Sequence, residues 1–222
     1  MSEPRIVAID GPSGVGKSTV ARRLAERLGV PYLDTGAMYR AVALAALDRG
    51  LDPADRAAVE ALAESVDLRL EPAGDGGFSV LLEGVSVESR IRTPEVGRAS
   101  SAVSAHPKVR ARMVALQRET AARLGGVLEG RDIGTRVFPD TPHKFFLDAD
   151  PEIRVERRHR QLAESGREVA RTDVAEDLAE RDRRDRTRDD SPLTSDDSYV
   201  HIDASGLSVE EVLERMVGAL GG

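Results

Sequence analysis

The amino-acid sequence predicts an α/β fold: a central parallel sheet with helices on both faces, plus a short antiparallel sheet in an inserted region. Short apolar segments alternate with amphipathic segments along most of the chain, the pattern of strand–helix–strand units. A glycine-rich loop joins the first strand to the first helix. Residues 66–89 break this alternation with short alternating strands around Gly74, Gly76 and Gly77, which indicates an antiparallel insertion.

Hydrophobic periodicity sets the predicted elements of the first part of the chain. Helices are predicted where apolar residues recur three or four positions apart, as at Val20, Leu24 and Leu28. Asp52 is expected to cap one helix, with Pro53 in its first turn. The predicted strands are residues 5–10, 30–33, 66–70, 78–82 and 85–89, and the predicted helices are residues 17–28, 37–48, 53–65, 93–105 and 107–124.

The rest of the chain returns to the alternation of strands and helices. Asp150 precedes a proline and a helical pattern, which makes it the expected cap of the next helix. The predicted strands are residues 126–129, 144–148 and 199–203, and the predicted helices are residues 151–165, 171–189 and 208–220.

Composition restricts the class of function. The chain has 222 residues, is 40% hydrophobic and carries a formal net charge of -7. A net negative protein does not attract nucleic acid or an anionic membrane through its overall field. The sequence contains no cysteine, so it forms neither disulfides nor thiolate metal sites. With no signal peptide and no apolar run of about 20 residues, we expect a cytoplasmic protein without membrane or nucleic-acid partners.

Residues 11–18 match the pattern G-x-x-x-x-G-K-[ST], which binds nucleotide phosphates. Its glycines let several backbone N–H groups point at one anion, and the following helix directs its positive end to the same place. In this motif Lys17 reaches the β- and γ-phosphates, and the Ser18 hydroxyl is offered to Mg²⁺. The predicted nucleotide-binding residues are Gly11, Pro12, Ser13, Gly14, Val15, Gly16, Lys17, Ser18 and Thr19.

A phosphate loop alone does not separate a kinase from a regulatory nucleotide switch. The sequence lacks the Asn-Lys-x-Asp motif that reads guanine. Evidence for a kinase must therefore come from groups that bind a phosphoryl acceptor.

Polar residues follow two further predicted strands. Thr35 and Arg40 come after the second strand, and Arg131 and Asp132 come after the strand at residues 126–129. Carboxyl ends of parallel strands lie at one edge of a sheet, so these groups are expected near the phosphate loop. Taken singly, each is better explained as a helix cap or a surface ion pair.

Two arginine clusters follow. Residues 151–165 carry Arg154, Arg157, Arg158 and Arg160, and a second helical face combines arginines 181 and 188 with an aspartate. Pairing with neighbouring carboxylates on a solvated helix is the ordinary explanation of such clusters. Arginines also stabilise the charge of a transferring phosphoryl group, which favours a functional role beside a phosphate loop.

Several segments together make the chain resemble bacterial cytidylate kinase, a nucleoside monophosphate kinase, essentially from end to end. The segments are IDGPSGVGKST, LDTGAMYRAVAL, EVGRASSAVSAHPKVR, LEGRDIGTRVFPD, KFFLDA and ERDRRDRTR. The resemblance implies a P-loop NTPase fold in one domain over residues 1–222. It also implies a monophosphate-binding region with its insert at about residues 37–105 and a small helical lid at about residues 150–167.

The resemblance also implies a role for each matching residue, and Thr35 keeps the hydroxyl of the serine that many members have. Asp132 has an alternative role, which is to orient Mg²⁺-bound water. Thr35, Arg110 and Asp132 would read the cytosine, Ser101, Arg181 and Asp185 would hold the sugar, and Arg40, Arg131 and Arg188 would bind the acceptor phosphate. Gly130 would be a further substrate-binding residue. Lys17, Arg131, Arg154, Arg158 and Arg188 would be catalytic, with Arg154, Arg157 and Arg158 in the lid and Arg157 on the donor nucleotide.

The predicted reaction converts ATP and CMP to ADP and CDP with Mg²⁺, and dCMP is also accepted. We expect the protein to act as a monomer. The alternatives are a kinase for another small acceptor, such as UMP, AMP or a shikimate-like compound, and a P-loop nucleotide switch.

Overall fold

A computed structural model describes residues 5–74 and 76–221. Its strands are β1 (Ile6–Asp10), β2 (Tyr32–Asp34), β3 (Leu68–Pro72), β4 (Phe78–Leu82), β5 (Val85–Ser86), β6 (Gly126–Gly130), β7 (His143–Asp148) and β8 (Val200–Asp203). Its helices are α1 (Lys17–Leu28), α2 (Thr35–Asp48), α3 (Arg56–Ser65), α4 (Pro94–Val103), α5 (Pro107–Leu124), α6 (Pro151–Glu164), α7 (Arg171–Thr187) and α8 (Val209–Gly221). A π-helix at Ile133–Val137 lies between β6 and β7.

Within the described residues, five parallel strands form one sheet in the order β2-β6-β1-β7-β8. Ile9 of β1 pairs with Phe145 of β7, which pairs in turn with Val200 of β8. The side chains of Ile9 and Phe145 are almost completely buried, as the apolar strands predict. The predicted fold class, a parallel sheet with surrounding helices and a small antiparallel sheet, is confirmed.

The chain divides into two compact units, and the first comprises the described parts of residues 1–6 and 25–128. It contains the antiparallel sheet, in which β4 pairs with both β3 and β5. Helix α2 packs against α4, and its alanines let the two helices approach closely. The predicted antiparallel insertion is therefore observed. Asp75, in the predicted turn of this hairpin, lies outside the described residues.

The second unit comprises the described parts of residues 7–24 and 129–222. It contains the phosphate loop, the π-helix, β7, β8 and the helices α6, α7 and α8. Helices α6 and α7 pack through Val155, Leu162, Val174 and Leu178, although α7 is one of the most charged segments of the chain. A narrow apolar stripe thus packs α7 against α6.

Helix α3 begins later than predicted. It begins at Arg56 instead of Pro53, and the side chain of its cap, Asp55, accepts a hydrogen bond from Ala58 N at 3.1 Å. Asp52, the predicted cap, accepts from Ala54 N at 2.9 Å in the preceding turn. Both aspartates can bind a backbone N–H close ahead in sequence, so the pattern did not separate the turn from the cap.

The other helix ends differ from the predicted ends by at most a few residues. Helix α7 ends at Thr187 instead of residue 189, whereas α1 and α5 have the predicted bounds. The π-helix was not predicted. In the part of the chain that the structure describes, no helix has the length and apolar character to cross a bilayer.

Candidate active site

The phosphate loop connects β1 to α1 and depends on glycine at its first position. Gly11 has φ 149°, a conformation that L side chains rarely adopt. A Cβ atom at Gly11 would lie 2.1 Å from the Leu147 carbonyl oxygen of β7. Gly14 has φ 77°, and a Cβ atom there would lie 3.1 Å from the Arg154 carbonyl oxygen. The loop therefore packs so closely on its neighbours that side chains at these positions would displace it.

Lys17 is buried at the start of α1. Its Nζ donates hydrogen bonds to the carbonyl oxygens of Gly11 at 2.8 Å and Pro12 at 2.7 Å. Burial, with the nearby positive charge of Arg131, lowers the pKa of Lys17 to about 7. An anion bound at the loop would offset both causes and favour the charged amine.

Ser18 and Thr19 are exposed in the first turn of α1, next to Lys17. A serine hydroxyl is an oxygen ligand that suits Mg²⁺, an ion usually held by one or two protein oxygens together with nucleotide phosphates. No group of three or more metal-binding His, Cys, Asp or Glu side chains occurs among the described residues. A single hydroxyl donor at Ser18 fits a metal ion that arrives bound to the nucleotide phosphates.

Two arginines bind Ser13 in the middle of the loop. Arg131 Nη2 donates to Ser13 Oγ at 2.7 Å, and Arg154 Nη1 donates to the Ser13 carbonyl oxygen at 3.1 Å. Each arginine is paired with an aspartate of α7: Arg131 Nε with Asp185 at 2.7 Å, and Arg154 Nη1 with Asp182 at 2.6 Å. Asp182 and Asp185 are three positions apart and so share one face of the helix. We call Ser13, Arg131, Arg154, Asp182 and Asp185 the Ser13 brace.

Further charges surround Asp185. Arg188 Nη1 lies 3.8 Å from Asp185 Oδ1, and Arg188 Nη2 lies 3.9 Å from Asp132 Oδ1. Burial alone would raise the pKa of Asp185, but the surrounding arginines (131, 181 and 188) hold it below its usual range. Burial is the larger cause that lowers the pKa of Arg181, and repulsion from Arg131 lowers it further. Cations crowded to this degree are typical of sites that bind anions.

The other α6 arginines differ in their contacts. Arg157 donates to the carbonyl oxygens of Val15 at 3.2 Å and Ala204 at 2.7 Å, so it contacts the phosphate loop. Arg158 donates to Gln161 at 2.8 Å, and burial lowers its pKa. Arg160 is exposed and pairs with a glutamate one turn away, which is the ordinary surface arrangement.

Thr35 and Arg40 lie in the first unit, on α2. Thr35 is the first residue of the helix and is buried. The side chain of Asp34 caps the helix, accepting from Ala37 N at 3.1 Å. Arg40 Nη1 donates to the Ile91 carbonyl oxygen at 3.0 Å.

Ser101 and Arg110 lie on α4 and α5 of the same unit. Arg110 is 2% exposed, its Nη1 donates to the Ser104 carbonyl oxygen at 3.1 Å, and its guanidinium lies 5.6 Å from the centre of the Tyr39 ring. The buried Ser101 hydroxyl has no hydrogen-bond partner among the described residues. Buried polar atoms are normally paired, so this hydroxyl fits a site that a ligand completes.

The structure assigns the predicted site residues to the two units. Thr35, Arg40, Ser101 and Arg110 belong to the first unit. The second unit brings together the phosphate loop and the predicted arginines and aspartates at positions 131, 132, 154, 157, 158, 181, 185 and 188. Gly130 ends β6, and its carbonyl oxygen accepts from Arg131 Nη1 at 3.0 Å.

Asp10, at the end of β1, was not predicted as a site residue. It is 0% exposed, and its carboxylate accepts hydrogen bonds from Ile133 N, Gly134 N and the Tyr199 hydroxyl, each at 2.9 Å. Burial raises the pKa of Asp10 to about 6, although these hydrogen bonds lower it. An acidic residue ending an otherwise apolar strand was the available signal. The partners are distant in sequence and could not be read from it.

Comparisons with known proteins relate the chain to one family. The family model described as cytidylate kinase matches residues 7–221. A cytidylate kinase from Solibacter usitatus is 46% identical over 214 residues, covering 96% of this chain and 90% of the relative. A cytidylate kinase from Corynebacterium glutamicum is 49% identical over 216 residues, covering 96% of this chain and 92% of the relative. The crystal structure of an uncharacterized protein from Eubacterium ventriosum aligns with a TM-score of 0.54 and 14% identity, covering 98% of this chain and 99% of that one, a likeness of fold alone.

Proposed function

This chain belongs to the cytidylate kinase family, and on that premise we propose that it transfers the γ-phosphoryl group of ATP to CMP or dCMP. The products are ADP and CDP or dCDP. The hydrogen bond of 2.7 Å from Arg131 to Ser13 carries the proposal, because it joins an expected acceptor-phosphate arginine to the donor phosphate loop.

The loop from Gly11 to Thr19 binds the phosphates of ATP. Its backbone N–H groups and the start of α1 provide the anion site, and Lys17 turns from its own loop carbonyls to the β- and γ-phosphates. Ser18 would hold Mg²⁺, which when bound would neutralise phosphate charge. Arg157, in contact with Val15, lies on the donor side.

The other predicted residues bind the acceptor nucleotide. Arg40, Arg131 and Arg188 hold the phosphate, and Gly130 is a further substrate-binding residue. Arg181, Asp185 and Ser101 hold the sugar. Thr35, Arg110 and Asp132 read the cytosine, whose edge carries both hydrogen-bond donors and acceptors.

The transfer needs no protein nucleophile. A phosphate oxygen of CMP forms a bond to the γ-phosphorus while the bond from that phosphorus to the β-γ bridging oxygen breaks, and ADP leaves with the electron pair. Lys17, Arg131, Arg154, Arg158 and Arg188 stabilise the spread negative charge. Positioning and electrostatics therefore supply most of the rate enhancement.

The segment at about residues 150–167 acts as the lid in this proposal. It contains α6, whose arginines 154 and 157 already contact phosphate-loop carbonyl oxygens. Closure over the nucleotides would exclude water and limit futile ATP hydrolysis.

The test is a coupled assay of ADP release with Mg-ATP and one acceptor at a time: CMP, dCMP, UMP, AMP or shikimate. We expect ADP formation to depend on CMP and dCMP well above the rate without acceptor. The proposal fails if CMP gives no more ADP than that blank. Faster turnover with UMP, AMP or shikimate than with CMP would assign the chain to another small-acceptor kinase, and acceptor-independent slow hydrolysis would favour a switch.

A further inference from the structure

Asp132 is at the N-terminal boundary of the π-helix but does not cap it. Aspartate at such a position usually accepts hydrogen bonds from the first backbone N–H groups of the helix. Here the Asp132 side chain makes no capping hydrogen bond, within the part of the chain that the structure describes. Gly134 N, the second N–H group of the helix and one that this side chain would bind as a cap, donates to Asp10 of β1 instead, and so does Ile133 N.

We propose that Asp10 and Tyr199 form a buried clamp that positions the turn bearing Arg131 and Asp132, which makes Tyr199 a positioning residue for the acceptor. This inference rests on the proposed function. Because Asp10 satisfies the first N–H groups of the turn, the Asp132 carboxylate is not used for capping and lies 3.9 Å from Arg188. Arg131, one position earlier, is held between Ser13 and Asp185.

Tyr199 holds the Asp10 carboxylate in place through a hydrogen bond. Its hydroxyl donates to Asp10 Oδ2, the same oxygen that accepts from Gly134 N. Burial raises the pKa of Tyr199 above its ordinary value, so the hydroxyl keeps its proton and stays a donor. A buried carboxylate needs such donors, because each one favours its charged form.

The position of the Tyr199 ring is well defined. It packs edge-on against Phe146 with ring centres 6.2 Å apart, and Lys144 Nζ lies 5.8 Å from its centre. A Cβ atom at Gly134 would be only 2.5 Å from the Tyr199 hydroxyl oxygen. The tyrosine thus occupies the space that a side chain at position 134 would need, and contact between ring and turn is direct.

The experiment compares wild type with Tyr199→Phe, which keeps the ring and removes the hydroxyl. Steady-state kinetics with CMP varied, and the Kd of Mg-ATP by calorimetry, separate the acceptor from the donor. We expect kcat/KM for CMP to fall about tenfold, since small displacements of positioning groups have effects of this size or larger. The Kd of Mg-ATP should stay within about twofold, because the phosphate loop is not contacted by the hydroxyl.

Ser198→Ala is the matched control. Ser198 precedes Tyr199 and binds Lys144 Nζ at 3.1 Å without contacting Asp10, so it reports on loosening of the same segment. Unfolding temperatures of both variants are measured alongside. The inference is supported if Tyr199→Phe lowers kcat/KM for CMP and Ser198→Ala, at a comparable unfolding temperature, does not.

The inference is overturned if Tyr199→Phe keeps wild-type kinetics with CMP, or if Ser198→Ala reduces kcat/KM equally. A parallel loss of Mg-ATP affinity in Tyr199→Phe would also overturn it, because the clamp would then act on the fold in general. If Tyr199→Phe does not fold, Tyr199→Met, which keeps a long apolar side chain and likewise lacks the donor to Asp10, replaces it under the same criteria. Absence of CMP-dependent ADP release in wild type would refute the proposed function itself, so the two failures are distinguishable.

Discussion

Arg131 contacts both halves of the proposed chemistry, because it binds Ser13 of the phosphate loop and Asp185 of α7. We predict that Arg131→Ala lowers turnover with CMP by about 10³-fold, the effect of removing a charge that stabilises the transition state. Binding of ATP should persist, as measured by calorimetry. Arg160→Ala is the control, because Arg160 is exposed and pairs with Glu156 on the surface of α6. Loss of ATP binding in Arg131→Ala would mean that Arg131 belongs to the donor site or the fold.

The lowered pKa of Lys17 leads us to predict that ATP binding is linked to proton uptake. Burial lowers the pKa of its amine to about 7 from 10.5, so at pH 8 most of the free protein carries the neutral form. Bound phosphates favour the charged form, so ATP binding at pH 8 should take up a proton and ATP affinity should fall as the pH rises above about 7. Calorimetry in buffers of different ionisation enthalpy measures this uptake.

Lys17→Arg is the control for proton uptake, because a guanidinium stays charged at these pH values. Uptake that persists in this variant, or that is as large at pH 6 as at pH 8, would contradict the prediction.

At the scale of an element, α7 supports the phosphate loop from one of its faces. Asp182 pairs with Arg154, and both side chains are largely buried. We predict that Asp182→Ala destabilises the protein by about 3 kcal/mol, since removing one partner leaves a buried charge uncompensated. Affinity for ATP should also fall, because Arg154 holds the Ser13 carbonyl oxygen.

Glu176→Gln serves as its control, because Glu176 is exposed on the same helix. Denaturant unfolding and ATP titration measure both effects. Equal stability of Asp182→Ala and Glu176→Gln would show that the Ser13 brace contributes nothing measurable.

The beginning of α3 yields a second prediction at this scale. Asp55 caps the helix and Asp52 binds only in the preceding turn. Asp55→Ala should therefore lower the free energy of unfolding by about 1 kcal/mol, the usual cost of a lost cap. Asp52→Ala should cost clearly less, and chemical denaturation of the two variants decides between them. A larger loss for Asp52→Ala would place the cap where the sequence pattern first suggested it.

For the whole molecule, surface composition bears on association. Among the described residues, the strongly exposed large hydrophobic side chains are Val85, Leu124 and Val200, each on a different strand or helix. Scattered apolar residues of this kind do not form the extended patch of a stable interface. We predict that light scattering after size exclusion gives the monomer mass of 23.9 kDa. A mass near twice that value at micromolar concentration would contradict a monomer.

Local patterns predicted the architecture well, because the hydrophobic pattern of each strand and helix is contained within a few neighbouring residues. The bounds of α1 and the presence of the antiparallel sheet followed from periodicity, and the phosphate loop from its spacing. Partners distant in sequence did not follow. Asp10 and Tyr199 are separated by 189 positions, and only the folded chain brings them into contact. The π-helix was missed for the same reason, since its first N–H groups are satisfied from β1.

The close approach of Gly11 to β7 also affects how an inactive form of this protein should be made. Glycine substitutions in phosphate loops suggest themselves as a way to abolish nucleotide binding while keeping the scaffold. Here an added methyl group at position 11 would collide with the Leu147 carbonyl oxygen, part of the sheet itself. Loss of activity in Gly11→Ala would therefore result from misfolding as much as from lost nucleotide binding. For experiments that need a folded but inactive chain, a substitution at Lys17 is the better choice.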